Sequence, residues 1–131
     1  MKDILCDYFQ NTVADLLVSQ KCILDILTKL EEYQYKTNRA VIKSATSCGC
    51  ISINAKKQVI PESASLYELK DILDNQVRGN LCPTCKAAIE REIGSQLFYL
   101  AALGNSLDIN LYDVILKEYN KMELLGIYNM F

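Results

Sequence analysis

The sequence Leu81–Tyr119, LCPTCKAAIEREIGSQLFYLAALGNSLDINLYDVILKEY, contains the pattern on which the fold prediction depends. After Cys85 its apolar residues recur every three to four positions, which is the spacing of a helix with a buried face. Phe98 and Tyr99 widen the apolar stripe, so we expect this helix to be covered on more than one side. The sequence therefore predicts that this helix is the central helix of a bundle. Its apolar positions are Ala88, Ile89, Ile93, Leu97, Leu100, Ala101 and Leu103.

The composition of the whole chain supports an all-α fold in one domain, residues 1–131. The 131 residues include only two prolines and five glycines, and half of them are hydrophobic. This favours long helices around a real core. No apolar run predicts a membrane span and the N-terminus does not resemble a signal peptide, so we expect a cytoplasmic protein that does not contact a membrane.

Charge and residue types narrow the classes of function. The net charge of -2 and the scattered Lys and Arg residues argue against nucleic acid as a partner. The chain has no histidine, which excludes Ser-His and Cys-His catalysis. Any chemistry would therefore depend on carboxylates, thiolates, Lys or Tyr.

The N-terminal region predicts one long helix, or two collinear helices, from residue 4 to about residue 45. Apolar residues keep helical spacing there, and no Pro or Gly occurs before Cys48. Residues 46–60 break this pattern, and the alternation of Ile51 and Ile53 with polar residues predicts a short hairpin or an extended loop.

A second helix is predicted after Pro61, with Ser63 or Ser65 as its N-cap. Ser65 and Glu68 have the spacing of a capping box, in which each side chain bonds the backbone of the other residue. We expect residues 78–80 to end this helix. Its predicted buried face is Leu66, Leu69, Ile72, Leu73 and Val77.

The C-terminal part predicts a turn over residues 105–110, with Asp108 or Asn110 as the next N-cap. A last helix is predicted over about 110–122. The apolar tail LLGIYNMF is expected to pack on the bundle or on another subunit. The buried residues predicted for the last helix are Leu111, Val114, Ile115 and Tyr119.

Six cysteines fall into two groups. Cys6 and Cys22 are isolated in the apolar first helix, where free thiols pack as small hydrophobic groups. The other four form a C-x-C pair and a C-x-x-C pair, separated by 31 residues, within a Cys-rich loop and second helix at 46–85. These four are Cys48, Cys50, Cys82 and Cys85.

The four paired cysteines predict a structural metal site. If the intervening segment folds back, four thiolates provide the tetrahedral sulfur shell that Zn²⁺ prefers, and Gly49 and Pro83 suit the tight turns of a zinc knuckle. A redox or disulfide pair, an iron–sulfur cluster and unliganded thiols are the alternatives. A closed four-thiolate site leaves no open coordination position, so we expect support for folding rather than catalysis.

The central stretch also resembles the MazG-like branch of the all-α nucleoside triphosphate pyrophosphohydrolases. The segment EIGSQLFYLAAL, residues 92–103, is similar to the family's E-[LI]-G-D-hydrophobic run, and LDINL, residues 107–111, is similar to its LGIDL-type turn. The likeness covers roughly residues 64–122. It implies a MazG-like bundle of about four helices that associates as a homodimer or higher homo-oligomer.

The resemblance further implies a magnesium site that binds a nucleoside triphosphate. The family places E-x-x-E on one helix and E-x-x-D on the next, and these carboxylates hold Mg²⁺ ions that activate water. Here the matching residues are Glu68 and Asp71, then Glu92 and Ser95. Asp71 is shorter than the family's Glu, and Ser95 replaces a metal-binding Asp with a neutral hydroxyl. We therefore expect a pyrophosphohydrolase with weakened or lost activity, or a non-enzymatic zinc-stabilised interaction or regulatory module.

Overall fold

The computed structural model describes residues 4–19 and 21–125, apart from the side chain of Leu66, and this part of the chain is mostly helical. The helical fold class predicted from the sequence is therefore confirmed. The helices are α1 (Ile4–Leu16), α2 (Ile23–Lys43), α3 (Leu66–Ile72), α4 (Pro83–Leu107) and α5 (Leu111–Leu125). A π-helical turn (Ser44–Cys48) extends α2, and the strands are β1 (Ile51–Ile53) and β2 (Val77–Gly79).

Helices α2 and α4 form the largest packing contact of the described structure. Ile26 near the start of α2 packs in one cluster with Ala101 and Ala102 near the end of α4. Further along, the ring of Tyr33 stacks on that of Tyr99, with 5.5 Å between centroids. The two helices are therefore antiparallel, and the end of α2 lies beside the start of α4.

Of the two alternatives predicted for the N-terminal region, one continuous helix is wrong, since the chain forms two helices, which end and begin at Leu16 and Ile23. Val13 and Ile26 belong to the same buried cluster. On one straight helix, 13 residues would separate them by about 20 Å along the axis. The break lets both side chains reach the end of α4, although no Pro or Gly marks it. It also leaves Cys22 exposed, which corrects the predicted burial of this thiol; Cys6 is half-buried.

The turn between α4 and α5 is fixed by the side chain of Gln10 on α1. Its Nε2 donates to the Ile109 carbonyl at 2.7 Å, and its Oε1 accepts from the Leu111 N–H at 2.8 Å. Gly104 lies against this turn, where an added Cβ would be 2.6 Å from the Ile109 carbonyl oxygen. A buried polar side chain thus joins three helices at one point.

Helix α5 begins as predicted but packs less than predicted. The Asp113 N–H donates to Asn110 Oδ1 at 3.0 Å, which confirms Asn110 as the N-cap. Leu111 packs against the core cluster. The other three residues predicted to be buried, Val114, Ile115 and Tyr119, are exposed, because α5 contacts chiefly α1. The tail residues 126–131 lie outside the described structure.

Of the two alternatives predicted for residues 46–60, the local hairpin does not form, and residues 54–60 after β1 are a loop without regular structure. Strand β1 pairs antiparallel with β2, so that Ile51 faces Gly79 and Ile53 faces Val77. The two strands are separated in sequence by a loop and α3. The whole segment of residues 48–82, including both strands, is called the Cys-rich arm below. The predicted helix end at residues 78–80 is therefore wrong: α3 ends at Ile72.

Helix α3 is short, but its start is as predicted. Ser65 is the N-cap, and it forms a reciprocal capping box with Glu68. Leu69 is buried, whereas Ile72 and Val77 are exposed, since the helix is only seven residues long. Within the described chain, α3 makes no extensive contact with another helix.

Candidate metal centre

The pairing of β1 with β2 brings the two cysteine pairs together. Cys50 directly precedes β1, and Cys82 follows β2 by three residues. Because the two strands are antiparallel, the entry to β1 and the exit from β2 lie at the same end of the ladder. Long-range backbone pairing, rather than the local turns alone, therefore converts two distant motifs into one cluster.

The sulfur atoms of Cys48, Cys50, Cys82 and Cys85 all lie within 4.8 Å of one another. Those of Cys48 and Cys82 are 3.8 Å apart. All six cysteines of the chain are free thiols, and a disulfide would need about 2.05 Å between sulfurs. The predicted convergence of the four thiols is confirmed, and their spread suits a single metal ion.

Each cysteine pair is shaped by a local turn. Gly49 ends the π-helical turn with φ +79°, a conformation that residues with a Cβ rarely adopt. Cys82 is the N-cap of α4, where its sulfur accepts a hydrogen bond from the Cys85 N–H at 3.4 Å. Pro83 occupies the first turn, where its missing N–H costs nothing. The helix therefore begins at Pro83, within the C-x-x-C pair, whereas the predicted helical pattern begins after Cys85.

The electrostatics of the cluster favour ionisation of one sulfur at the expense of its neighbours. The Cys85 N–H, followed by the neighbouring thiols, lowers the pKa of Cys82 to about 7. At Cys85 the Ser44 hydroxyl favours the thiolate, but the Cys82 sulfur, burial and the other two thiols outweigh it and raise its pKa to about 12. A divalent cation would reverse this conflict, because it attracts all four thiolates at once.

Ser44 is a part of the site that the sequence pattern did not indicate. It is almost fully buried, and its carbonyl accepts a hydrogen bond from the Cys50 thiol at 3.7 Å. The same carbonyl accepts from the Gly49 N–H at 2.9 Å. In the sequence, Ser44 is marked only by its position one turn before Cys48. This position indicates a role at the site only when the π-helical turn is already known.

The predicted magnesium ligands do not form a comparable group. Within residues 4–19 and 21–125, the four thiols are the group of His, Cys, Asp or Glu side chains that is close enough to share a metal. Glu68 is exposed and caps α3, and Asp71 is exposed on the same helix. Ser95 hydroxyl donates to the Arg91 carbonyl of its own helix. The structure therefore does not gather these residues with Glu92.

Glu92 itself lies in a mostly basic recess between α2 and α4. Its side chain is 16% exposed, and its Oε1 lies 3.6 Å from Arg91 Nε. Its Oε2 is buried without a hydrogen-bond partner in the described structure. The recess, of about 350 Å³, is lined by Lys36, Arg39, Ala40, Lys43, Ala88, Arg91 and Glu92. The three α2 cations are spaced at i, i+3 and i+7 in the sequence, and this spacing predicts that they share one face of the helix.

Comparisons with family models, with curated proteins and with solved structures give no significant match to this chain. The MazG-like resemblance therefore depends on the quoted residues alone. Among the described helices, none combines the length and the apolar character needed to cross a bilayer.

Proposed function

We propose that this chain is a non-enzymatic helical interaction module whose Cys-rich arm is closed by one structural zinc ion. The observation that carries the proposal is the gathering of four sulfur atoms within 4.8 Å. A tetrahedral site with Zn–S distances of about 2.3 Å separates its sulfurs by about 3.8 Å. The distance between the Cys48 and Cys82 sulfurs has this value, 3.8 Å.

The four thiolate ligands favour zinc over magnesium, calcium and an iron–sulfur cluster. Four thiolates without a carboxylate or imidazole are soft ligands, which select zinc or iron–sulfur centres over magnesium or calcium. An iron–sulfur cluster distributes its four thiolates over several iron ions. The compact set of sulfurs here suits one ion instead. With all four positions taken by protein, zinc would have no place for a substrate or an activated water.

The position of the site explains what the zinc would do. Cys48 and Cys50 follow α2, whereas Cys82 and Cys85 begin α4. A zinc ion held by both pairs fixes the end of one helix to the start of the other, and it closes the arm between them. The arm, which contains α3, is then an ordered surface rather than a flexible insertion.

Metal analysis of protein purified without added metal tests this proposal. We expect one zinc per chain, released by a thiol-blocking reagent with the stoichiometry of four thiols per ion. Cys50→Ser should lower the zinc content, and Cys6→Ser, outside the cluster, should leave it unchanged. A metal-free protein whose arm is fully ordered would contradict the proposal.

A second candidate, nucleoside triphosphate pyrophosphohydrolysis, is supported by the surroundings of Glu92. Its unpartnered Oε2 is available to a cation such as Mg²⁺. The recess also contains Lys36, Arg39 and Lys43, which suit a polyphosphate. Because Glu68 and Asp71 lie elsewhere, Glu92 would be the one carboxylate of the recess among the described residues, and we expect weak turnover at most.

Pyrophosphate release from a panel of nucleoside triphosphates with Mg²⁺ tests the second candidate. Turnover that is lost in Glu92→Gln but retained in Glu90→Gln, an exposed neighbour on the same helix, would support it. If no nucleotide of the panel releases pyrophosphate at high protein concentration, the second candidate is ruled out and the first proposal stands alone.

A further inference from the structure

The recess between α2 and α4 is basic, although the chain as a whole carries a net charge of -2. Four exposed cations line it, against one carboxylate among the described residues, that of Glu92. A local excess of one charge attracts partners of the opposite charge to that part of the surface. The four cations are Lys36, Arg39 and Lys43 of α2 and Arg91 of α4.

The three cations of α2 form no salt bridge with another described residue. The Lys36 ammonium lies over the Tyr33 ring, 4.9 Å from its centroid, a contact that holds the side chain without neutralising its charge. Residues at i, i+3 and i+7 share one helix face, and the outer two are about 10 Å apart along the axis. A partner whose carboxylates are spread over this length can therefore pair with all three cations.

Apolar side chains of α2 border these cations. Tyr35 and Ile42 are 61% and 53% exposed. Together with Asn38 they line a second hollow, of about 420 Å³, which also contains Arg39 and Lys43. The two hollows thus share two cations, and we call them together the α2 surface. This surface presents positive charge and, directly beside it, an aromatic and an aliphatic contact.

The charge of the α2 surface distinguishes it from the apolar stripe of α4. Ile93, Leu97 and Leu100 were predicted from the sequence to be buried, but they are 43%, 49% and 42% exposed. These side chains are uncharged, so they do not specify the chemistry of a partner. The cations of the α2 surface do, because only an anionic partner compensates them.

The surroundings of Glu92 favour a peptide over a phosphate as the anionic partner. Its Oε2 is buried without a hydrogen-bond partner in the described structure, and such an acceptor is unfavourable until a donor reaches it. A peptide supplies N–H donors, whereas a phosphate adds negative charge and further acceptor oxygens. The exposed Tyr35 and Ile42 also suit an apolar side chain, which a polyphosphate lacks. Four cations in a chain of net negative charge are a weak electrostatic footprint for nucleic acid.

We propose that the α2 surface binds an acidic peptide segment of a partner protein, with carboxylates on Lys36, Arg39 and Lys43 and an apolar side chain against Tyr35 and Ile42. The inference rests on the interaction module proposed above and names the kind of partner that it takes. The charge pairs set specificity and the rate of association, and the apolar contact slows dissociation.

Fluorescence anisotropy of a labelled peptide with the full chain tests the inference. The probe has about 12 residues, which is long enough to span the three cations, with Glu at every third or fourth position and Phe residues between them. We expect micromolar affinity. Raising the salt concentration from about 50 to about 500 mM should weaken binding at least tenfold, because screening shortens the reach of the charges. The same peptide with Gln in place of Glu should not bind.

Two pairs of variants locate the binding surface. Arg39→Glu reverses a charge that both hollows share and should weaken binding at least tenfold, whereas Lys57→Glu, at an exposed cation of the arm, should leave it unchanged. Ile42→Ser should weaken binding about threefold to tenfold. Its control is Ile60→Ser in the arm, where the side chain is 56% exposed, and it should bind as the wild type does. Helical circular dichroism should be the same in all four variants.

Zinc content, measured on the same samples, separates failure of this inference from failure of the proposed function. A zinc-loaded chain that does not bind the Glu peptide at up to about 1 mM would overturn the inference alone. Binding by a zinc-free chain would support it and contradict the structural zinc. Undiminished binding by Arg39→Glu would overturn the choice of surface. Tighter binding of inorganic tripolyphosphate, with or without Mg²⁺, or of a single-stranded oligonucleotide would overturn the assignment to a peptide.

Discussion

The helical body, made of α1, α2, α4 and α5, and the Cys-rich arm are stabilised by different kinds of interaction. In the body, Val13, Ile26, Ala101 and Ala102 form a buried cluster, with further apolar side chains packed against it. In the arm, the buried apolar side chains that are described are those of Ile51 and Leu69. The other interactions that stabilise the arm are polar contacts and the sulfur cluster.

The polar contacts of the arm are mostly exposed. Gln58 and Asp74 exchange two hydrogen bonds, each of 3.1 Å, across the loop. Arg78 forms a salt bridge with Asp74 at 3.1 Å, with both side chains about half exposed. Such surface pairs add little stability. A segment below about 40 residues rarely folds on apolar burial alone and needs a metal or disulfides, so the thiol cluster accounts for how the arm can be ordered.

We therefore expect loss of the metal to disorder the Cys-rich arm and to leave the helical body folded. If the four thiols hold zinc as proposed, removing the ion should release the arm and loosen the junction between α2 and α4. The cluster around Ile26 lies at the opposite end of the α2–α4 pair, so it should survive. The largest expected effect tests this division.

Cys82→Ser should abolish zinc binding and disorder the arm while the body stays folded. Serine is a good N-cap, so the change removes a metal ligand without removing the cap of α4. Structural zinc sites contribute about 10–16 kcal/mol of apparent binding free energy, far more than the arm's other contacts. Hydrogen exchange should show the amides of β1 and β2 losing protection by several orders of magnitude, with those around Ala101 little changed.

Cys22→Ser is the matched control for this prediction. Cys22 is exposed and lies outside the cluster, so both zinc content and exchange should equal those of the wild type. Retained protection of β1 and β2 in Cys82→Ser would show that the arm is ordered without the metal. Loss of protection throughout α4 would instead show that the two regions unfold together.

The next effect is confined to the body, where Gly104 and Gly94 on α4 form a natural pair. A Cβ at Gly104 would lie 2.6 Å from the Ile109 carbonyl oxygen and 2.8 Å from Gln10 Nε2. Gly104→Ala should therefore lower the free energy of unfolding by about 3 kcal/mol. At Gly94 nothing lies within 4 Å, and Gly94→Ala should raise it by up to about 1 kcal/mol through helix propensity.

Urea unfolding of both variants, followed by helical circular dichroism, measures these changes. Zinc content should remain at one per chain in each, because the arm is at the other end of α4. Equal stability of the two variants would mean that the α1–α4–α5 junction is looser than the packing at Gly104 indicates.

The two regions also differ in how much of them the sequence predicts. Helical periodicity predicted α4, and the Asn110 and Ser65 caps followed from local chemistry, since a cap needs only its own residue and the next turn. The break between Leu16 and Ile23 could not be predicted in this way. It depends on Val13 and Ile26 reaching the same distant residues of α4.

The candidate site shows the same limit. The spacing of Cys48, Cys50, Cys82 and Cys85 was enough to predict that the thiols converge, because paired ligands are a strong local signal. The pairing of Ile51 with Gly79 that brings them together was missed, since strand pairing over such a distance leaves no local pattern. The acidic residues taken from the MazG-like resemblance, Glu68 among them, are not gathered by the fold.

A smaller effect is expected in the arm, at the N-cap of α3. Ser65 Oγ accepts from the Glu68 N–H, and the Ser65 N–H donates to the Glu68 carboxylate, each at 3.3 Å. Ser65→Ala should destabilise α3 by about 1 kcal/mol. Hydrogen exchange should show faster exchange in residues 66–72 only. Ser63→Ala, at the alternative cap predicted from the sequence, should have no effect, and a changed unfolding midpoint of the body would contradict the separation of the two regions.

The smallest effect concerns a partly exposed ion pair in the body. The Lys29 ammonium donates to Glu32 Oε2 at 3.1 Å and holds the pKa of that carboxyl below its ordinary value of 4.5. The hydrogen bond to Glu32 likewise raises the pKa of Lys29 above 10.5. A lowered carboxyl pKa contributes stability above the unfolded-state value and loses it as pH falls through the folded-state value. A raised lysine pKa contributes below its unfolded-state value and loses it as pH rises further.

Lys29→Met should therefore destabilise the body slightly between about pH 5 and 10, and the difference from the wild type should shrink as pH falls through the lowered folded-state pKa of Glu32. NMR titration of the Glu32 carboxyl should show its pKa returning towards the ordinary value in the variant. Lys57→Met, in the arm, should leave the Glu32 titration unchanged. Because the pair lies wholly on α2, zinc removal should not move the Glu32 pKa, and a shift on removal would show that the arm reaches further into the body than the contacts indicate.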